Sequence, residues 1–130
     1  MKILVAFDES KLSQKLIALA LQHARVFGAE IVLVCSREGG EKTTVEQVEE
    51  SSRMLEEAKR KIEEAGVPCE AHLLVRDLRP GEDIVLFAKE NQVDEIVIGI
   101  RKTSRMDKMV FGSTAQYVIL KAHCPVVSLK

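Results

Sequence analysis

A glycine followed by two hydroxyl residues, Gly112-Ser113-Thr114, begins the last amphipathic segment of the chain. The first N–H groups of a helix have no partner within the helix and lie at the positive end of its dipole, so they favour an anion. Glycine lets a ligand approach the backbone, and the two hydroxyls can donate further hydrogen bonds. The same residues are typical of an ordinary helix N-cap, worth about 1 kcal/mol, and the local sequence leaves both interpretations open.

The segment that precedes this glycine, residues 100–111, is longer than an ordinary connection between a strand and a helix. It carries four basic residues against one acidic residue, Asp107, and the basic ones are Arg101, Lys102, Arg105 and Lys108. A positive segment that leads into a helix N-terminus could clamp a phosphate group. A solvated run of charges is the alternative, and it is the position of the segment in the fold that favours a ligand.

Short apolar runs alternate with longer amphipathic segments along the whole chain. The runs are rich in Val, Ile and Leu, which predicts strands at residues 3–7, 31–35, 71–75, 96–98 and 126–129. Between them, apolar residues at three- and four-residue steps predict helices. The first ends before Gly28, the second before Gly66, the third covers residues 80–91 and the fourth begins at Gly112.

Strands that alternate with helices predict an α/β fold in which helices cover both faces of a parallel sheet. The first, second and fourth strands are apolar at nearly every position, so we expect them in the middle of the sheet. The third strand alternates in polarity and the fifth is short, which favours the two edges. With right-handed crossovers, the sequence predicts one three-layer α/β/α domain over residues 1–130, with an open, twisted five-stranded parallel sheet of order 3-2-1-4-5.

Ligands of open parallel sheets bind beyond the carboxyl ends of the strands, where the strand order reverses. In the predicted order this point lies between the first strand, which ends at Asp8, and the fourth, which ends at Gly99. The second strand brings Ser36 to the same rim. The Asp8 carboxylate could accept hydrogen bonds from ribose hydroxyls or an adenine amine, or it could cap the first helix.

The composition excludes several classes of protein. The 19 basic and 20 acidic residues nearly balance, giving a net charge of −1, whereas nucleic-acid binders are usually clearly basic. No apolar run approaches the length of a membrane span or has the pattern of a signal peptide. Three cysteines without CxxC spacing, Cys35, Cys69 and Cys124, favour free thiols in a reducing compartment. We therefore expect a cytoplasmic protein that binds neither nucleic acid nor membrane.

The usual catalytic signatures are missing from the sequence. There is no Walker loop, no GxGxxG and no GxSxG. The three histidines lie on separate predicted elements, without the spacing of a metal site. We expect His23, on the apolar face of the first helix, to be half-buried and hydrogen-bonded. The sequence therefore predicts no catalytic residue and no metal ligand.

Both ends of the chain resemble the universal stress protein family. The first stretch is Val-Ala-Phe-Asp-Glu-Ser at residues 5–10, and the second is Ile-Val-Ile-Gly-Ile-Arg-Lys at 96–102, continued by Phe-Gly-Ser-Thr-Ala-Gln-Tyr-Val-Ile at 111–119 and Cys-Pro-Val-Val at 124–127. The resemblance covers essentially the whole chain. The family's ATP-binding signature is Gly-x2-Gly-x9-Gly followed by Ser or Thr, and here Gly99, Gly112 and Ser113 match it.

Lys102 stands where that signature has its middle glycine. A lysine keeps the backbone N–H but adds a charged side chain, which could pair with phosphates or fill the site. The resemblance implies ATP, with or without Mg²⁺, as the ligand. Asp8 and the backbone of Ala6 and Phe7 would meet adenosine, Ser36 would offer backbone contacts to adenine, and Gly99, Gly112 and Ser113 would hold the phosphates. The full set of expected nucleotide-binding residues is Ala6, Phe7, Asp8, Ser36, Ile98, Gly99, Arg101, Lys102, Gly112, Ser113 and Thr114.

Three functions follow from these observations. The first is a regulatory, stress-responsive protein that binds an adenine nucleotide. The second is a homodimeric interaction module without nucleotide, in which the positive segment meets an unidentified partner protein because Lys102 replaces glycine. The third, a slow ATPase, is the most that the sequence supports as an enzyme. In all three we expect a homodimer, because Val126, Val127 and Leu129 form a short apolar edge, and the resemblance implies antiparallel pairing of this strand with its two-fold mate.

Overall fold

The computed structural model describes residues 1–8, 10–100 and 112–130. Strands and helices alternate in the predicted order. They are β1 (Lys2–Ala6), α1 (Leu12–Phe27), β2 (Glu30–Ser36), a 3₁₀ turn (Gly40–Lys42), α2 (Val45–Glu64), β3 (Cys69–Leu74), α3 (Pro80–Glu90), β4 (Glu95–Gly99), α4 (Ser113–Lys121) and β5 (Val126–Leu129). The predicted α/β class is confirmed.

The five strands form one parallel sheet of order β3-β2-β1-β4-β5, as predicted. β1 lies in the centre, where Leu4 is level with Val32 of β2 on one side and with Ile96 of β4 on the other. β3 begins two residues earlier than the sequence pattern indicated, because Cys69 and Glu70 continue the ladder with β2. Glu70 is exposed at this edge, so its polarity hid the start of the strand.

Alternate residues of the central strands point to opposite faces of the sheet, and each face carries its own apolar core. Ile3 and Val5 pack with residues of α1 and α2, including Leu16 and Leu55. Leu4 and Val32 pack on the other face with residues of α3 and α4, such as Phe87 and Val118. Both faces of the sheet are therefore covered, as a parallel sheet requires.

The ends of the helices follow local sequence signals. α1 ends at Gly28, whose φ of 64° lies in the left-handed region that glycine adopts without strain. α2 begins with a capping box, in which Gln47 N–H donates to Thr44 Oγ1 at 3.2 Å and Thr44 N–H donates to Gln47 Oε1 at 2.9 Å. α3 begins at Pro80, in the first helical position, where no donor is needed.

The structure also shows the environment of His23 and of the three cysteines. His23 is half-buried, and its Nδ1 lies 2.7 Å from Glu95 Oε1, which confirms the expectation for this residue. All three cysteines are free thiols, and burial together with nearby Glu63 raises the pKa of Cys69 to about 12. Among the described helices, none combines the length and apolar character needed to cross a membrane.

Leu33→Ala tests the central position of β2. Leu33 is fully buried between Val5 of β1 and Ala71 of β3. Its truncation leaves a cavity, and we expect it to lower the free energy of unfolding by about 3 kcal/mol. Val26→Ala is the control, because Val26 is 77% exposed and should change stability by less than about 0.5 kcal/mol. Urea denaturation measures both, and equal effects would contradict this placement of the core.

Candidate functional site

A cavity of about 370 Å³ lies at the carboxyl ends of β1, β2 and β4. This is the point where the strand order reverses, since the chain leaves β1 toward β2 on one side and returns on the other side as β4. Every predicted nucleotide-binding residue that the structure describes lines this cavity: Ala6, Phe7, Asp8, Ser36, Ile98, Gly99, Gly112, Ser113 and Thr114. Arg101 and Lys102, together with the rest of the positive segment, lie outside the described residues.

Helices α1 and α3 supply cavity residues that sequence reasoning missed. Leu12 and Leu16 come from α1, Pro80 and Ile84 from α3, and the remaining ones are Val34 and Ala115. Ser10, which the sequence places beside Asp8 after the first strand, also lines the cavity. Of the missed residues, Val34 was the one that the sequence could most easily have indicated. It is level with the predicted site residue Ala6 in the pairing of β1 with β2. The α3 residues had no such signal, because their approach depends on how the helix packs across the sheet.

Asp8 organises the turn between β1 and α1 and also lines the cavity. Its Oδ1 accepts a hydrogen bond from Ser10 N–H at 2.8 Å, and Ser13 Oγ donates to the Asp8 carbonyl oxygen at 2.8 Å, with Oδ1 a second, longer acceptor at 3.1 Å. In return, Asp8 N–H donates to Ser13 Oγ at 3.0 Å. The helix N-cap itself is Lys11, which makes no side-chain cap hydrogen bond. The turn therefore holds the Asp8 carboxylate at the rim of the cavity.

The N-terminus of α4 has no side-chain cap in the described part of the chain. Gly112 is the N-cap residue, and Ser113 and Thr114 are the first helical residues, so neither hydroxyl has the capping role that the sequence left open. Gly112 has a φ of −58°, which any residue can adopt, and a Cβ added there would meet no described atom within 4 Å. The fold of the described residues does not require glycine at this position, and its backbone is open to a ligand.

Gly99 has a different physical role. A Cβ added at this position would lie 2.5 Å from Leu12 Cδ2 and 3.1 Å from Leu12 Cγ. Helix α1 therefore packs closely on the end of β4 because position 99 has no side chain. The close approach brings the start of α1 to the wall of the cavity, which Leu12 lines together with Gly99.

A buried acid, Asp83 of α3, lies behind the β2 side of the cavity. Its side chain is completely buried. Arg76 Nε donates to Asp83 Oδ1 at 2.7 Å, and Arg76 Nη2 forms an ion pair with the same oxygen at 2.5 Å. Ser36 Oγ donates to the other carboxylate oxygen at 3.3 Å. Arg76 also pairs with Glu90, and its hydrogen bond with Asp83 raises the pKa of the guanidinium. Sequence reasoning missed this cluster, because an aspartate in the first turn of a helix is ordinarily a surface residue that interacts with the helix dipole.

Comparison with known proteins identifies the family. The sequence of residues 1–130, the entire chain, matches the universal stress protein family. The chain belongs to this family. The resemblance seen at the two ends of the sequence is therefore confirmed over its full length.

Solved universal stress proteins share the fold closely. The structure of one from Archaeoglobus fulgidus is 42% identical, covers 100% of this chain and 98% of its own, and has a TM-score of 0.91. A second structure from this organism, in complex with dAMP, is 40% identical with the same coverage and a TM-score of 0.86. A universal stress protein of Methanocaldococcus jannaschii is 30% identical over 99% of this chain and 81% of its own length.

Arg76→Ala tests the buried ion pair of this universal stress protein. The substitution leaves the fully buried Asp83 without its charged partner, and an uncompensated buried charge is costly. Because the Arg76 side chain is itself 37% exposed, we expect a loss of about 2 kcal/mol in the free energy of unfolding rather than the larger cost of a fully buried pair. Arg60→Ala, on the exposed face of α2, is the control and should be nearly neutral. Chemical denaturation compares them, and a neutral Arg76→Ala would refute the assigned role.

Proposed function

We propose that this universal stress protein is a regulatory protein that binds an adenine nucleotide in the cavity at the carboxyl ends of β1 and β4. The observation that carries the proposal is the N-terminus of α4, which no side chain of the described residues caps and which opens onto a cavity at the reversal point of the sheet. This site combines a donor-rich end for phosphates with an apolar end for a base. The absence of histidine from the described cavity lining supports binding rather than catalysis.

The phosphates would lie against the first turn of α4. Gly112, Ser113, Thr114 and Ala115 all line the cavity, and the first N–H groups of a helix are donors without partners inside the helix. The helix dipole adds a favourable interaction with negative charge at the same place. Ser113 and Thr114 can add hydroxyl donors. A nucleotide phosphate is the anion that best matches a site with this many donors beside a larger apolar cavity.

The nucleoside would lie over the ends of β1 and β2, beside α3. Val34 of β2 and Ile84 of α3 present aliphatic side chains to this part of the cavity, and Ile98 lines it from β4. Such walls suit the two flat faces of a purine. Asp8, which the turn holds at the rim, would accept hydrogen bonds from ribose hydroxyls.

The universal stress protein of known structure that is 40% identical to this chain was solved with dAMP, which supports an adenine nucleotide as the ligand class. We propose ATP as the physiological ligand, with Arg101 and Lys102 of the positive segment meeting its outer phosphates. Mg²⁺ would be carried by the phosphates themselves, as is usual for this ion. Within the described residues, no group of three His, Cys, Asp or Glu side chains is placed to hold a metal. The free thiols support a reducing, cytoplasmic location.

Thermal denaturation with and without ATP tests the site. At a hundredfold excess over Kd, binding to the native state alone adds about 2.7 kcal/mol, which for a domain of this size corresponds to a rise of roughly 10 °C in Tm. In Gly112→Val the new side chain should block the phosphates and abolish the shift. Its Tm without ligand should stay close to that of the wild type, because no described atom lies where the side chain begins.

Lys102→Gly, which restores the family's signature, decides the role of the lysine. A smaller ATP shift than in the wild type would make Lys102 a phosphate ligand. A shift in this variant alone would mean that lysine closes the site. If ATP changes the Tm of none of the three proteins, the nucleotide proposal is wrong, and the interaction module with an unidentified partner protein replaces it.

We also propose that the protein is a homodimer in which β5 pairs with the β5 of a second copy. β5 is an edge strand of the sheet, and Val126, Val127 and Leu129 are only partly buried within one chain. Exposed apolar side chains of α4, such as Leu120, lie on the helix that leads into this edge. A second copy would cover these side chains and satisfy the outward backbone groups of the strand.

Ser128→Pro tests the dimer. Pro125 and Leu129 carbonyls accept hydrogen bonds from β4, and residues of a parallel strand alternate between their two sides, so the N–H of Ser128 points away from β4. Proline at this exposed position would remove an outward donor and leave the ladder to β4 intact. Light scattering should give a dimer of the 14.5 kDa chain for the wild type and for Ser128→Ala, and a monomer for Ser128→Pro. A monomeric wild type at micromolar concentration would refute the dimer.

A further inference from the structure

The base end of the cavity offers a ligand very few polar atoms. On the β2 and α3 side, the described lining residues are Val34, Ser36, Pro80 and Ile84, and of these only Ser36 has a hydrogen-bonding side chain. A ring that enters between the aliphatic walls therefore meets one side-chain hydroxyl group beside the main-chain groups of the strand ends. Whether this hydroxyl donates or accepts a hydrogen bond toward the cavity decides which edge of a ring can bind there.

The Ser36 hydroxyl already donates its one hydrogen bond within the protein. Ser36 Oγ donates to Asp83 Oδ2 at 3.3 Å. Asp83 is held as an acceptor because Arg76 Nε donates a charge-assisted hydrogen bond to its other oxygen, with which Arg76 Nη2 also forms an ion pair. A hydroxyl has one proton and two lone pairs, so Ser36 retains only acceptor capacity toward the cavity. Complete burial of Asp83 keeps water from competing for that proton.

We propose that Asp83 is a positioning residue for base selection: by accepting the hydrogen bond from Ser36, it makes Ser36 an acceptor toward the cavity, so the site selects a purine with an exocyclic amine. This inference rests on the proposed function and adds a specific determinant to it. A keto group at the same place would bring two acceptors together. A ring without a substituent would leave the Ser36 lone pairs without a donor. Both cost binding free energy.

Removing the amine from the ligand tests the contact directly. Isothermal titration calorimetry compares AMP with purine riboside monophosphate, which lacks only that amine. For the wild type we expect AMP to bind about tenfold tighter or more, the effect of leaving one buried acceptor unpaired. In Ser36→Ala the ratio of the two affinities should fall toward unity. This variant leaves Asp83 Oδ1 paired with Arg76 but removes the hydrogen bond to Oδ2, so its Tm is measured beside the affinities.

Glu90→Gln is the matched control. Glu90 contacts Arg76 on the side away from Asp83 and has no contact with Ser36 among the described hydrogen bonds. The substitution perturbs the same arginine without changing the direction in which the hydroxyl donates. The ratio of the two affinities should stay at its wild-type value.

Asp83→Asn tests the direction of the hydrogen bond. Arg76 donates to Oδ1, so it should keep the amide oxygen on its own side and turn the new NH₂ group toward Ser36. The serine would then accept from the amide and donate into the cavity. IMP, which carries a keto group in place of the amine, should bind this variant more tightly than it binds the wild type, while AMP binds more weakly. A loss of structure would weaken both ligands together.

The possible results separate this inference from the proposed function. If the wild type binds none of these nucleotides, and ATP does not shift its Tm, the proposed function is wrong and this inference fails with it. If the nucleotides bind but the wild type binds AMP and purine riboside monophosphate with nearly equal affinity, only the inference is overturned. It is equally overturned if the ratio is unchanged in both Ser36→Ala and Asp83→Asn.

Discussion

The pairing of β1 with a strand on each side is the constraint on which the rest of the structure depends. Because β2 and β4 lie parallel to β1 on its two sides, the crossover from β1 to β2 and the crossover from β3 to β4 run across the sheet in opposite directions. The crossovers place α1 and α2 on one face and α3 and α4 on the other. After β1 the chain turns to α1 on one face of the sheet, and after β4 it continues to α4 on the other face. The cavity lies between these two connections.

The two glycines of the family's signature that the structure describes meet different physical demands. At Gly99 the absence of a Cβ leaves room for the Leu12 side chain of α1, which an added Cβ would displace. Gly112 has an ordinary backbone conformation, and a Cβ there would meet no described atom within 4 Å. A signature of two such positions therefore combines one glycine that positions a wall of the cavity with another that leaves the helix N-terminus accessible.

A buried ion pair adjoins a cavity whose other walls are largely apolar. Burying the Asp83 carboxylate is unfavourable unless its oxygens are hydrogen-bonded, and Arg76 and Ser36 together meet this need. The ion pair joins the end of β3 to the start of α3, while Ser36 joins both to the end of β2. The orientation of the Ser36 hydroxyl, at the wall of the cavity, is thus determined by a fully buried carboxylate.

Much of the architecture could be predicted from the sequence alone. Apolar periodicity indicated the strands and helices, the polarity of each strand placed it in the middle or at an edge, and the strand order then located the cavity beside Asp8, Gly99 and Gly112. These features depend on local patterns and on rules of chain connection, which a sequence displays directly. The start of β3 was missed because an exposed glutamate in an edge strand resembles a loop residue.

Only the tertiary structure decided what surrounds those residues. The closeness of Leu12 to Gly99, the uncapped start of α4, and the contact of Ser36 with an aspartate 47 residues further along the chain all depend on how helices pack across the sheet. The sequence left Ser113 and Thr114 open between capping and ligand binding, and Asp8 between helix start and cavity rim. Periodicity states which face of a helix is buried, but the side chains that meet there are set by packing between distant segments.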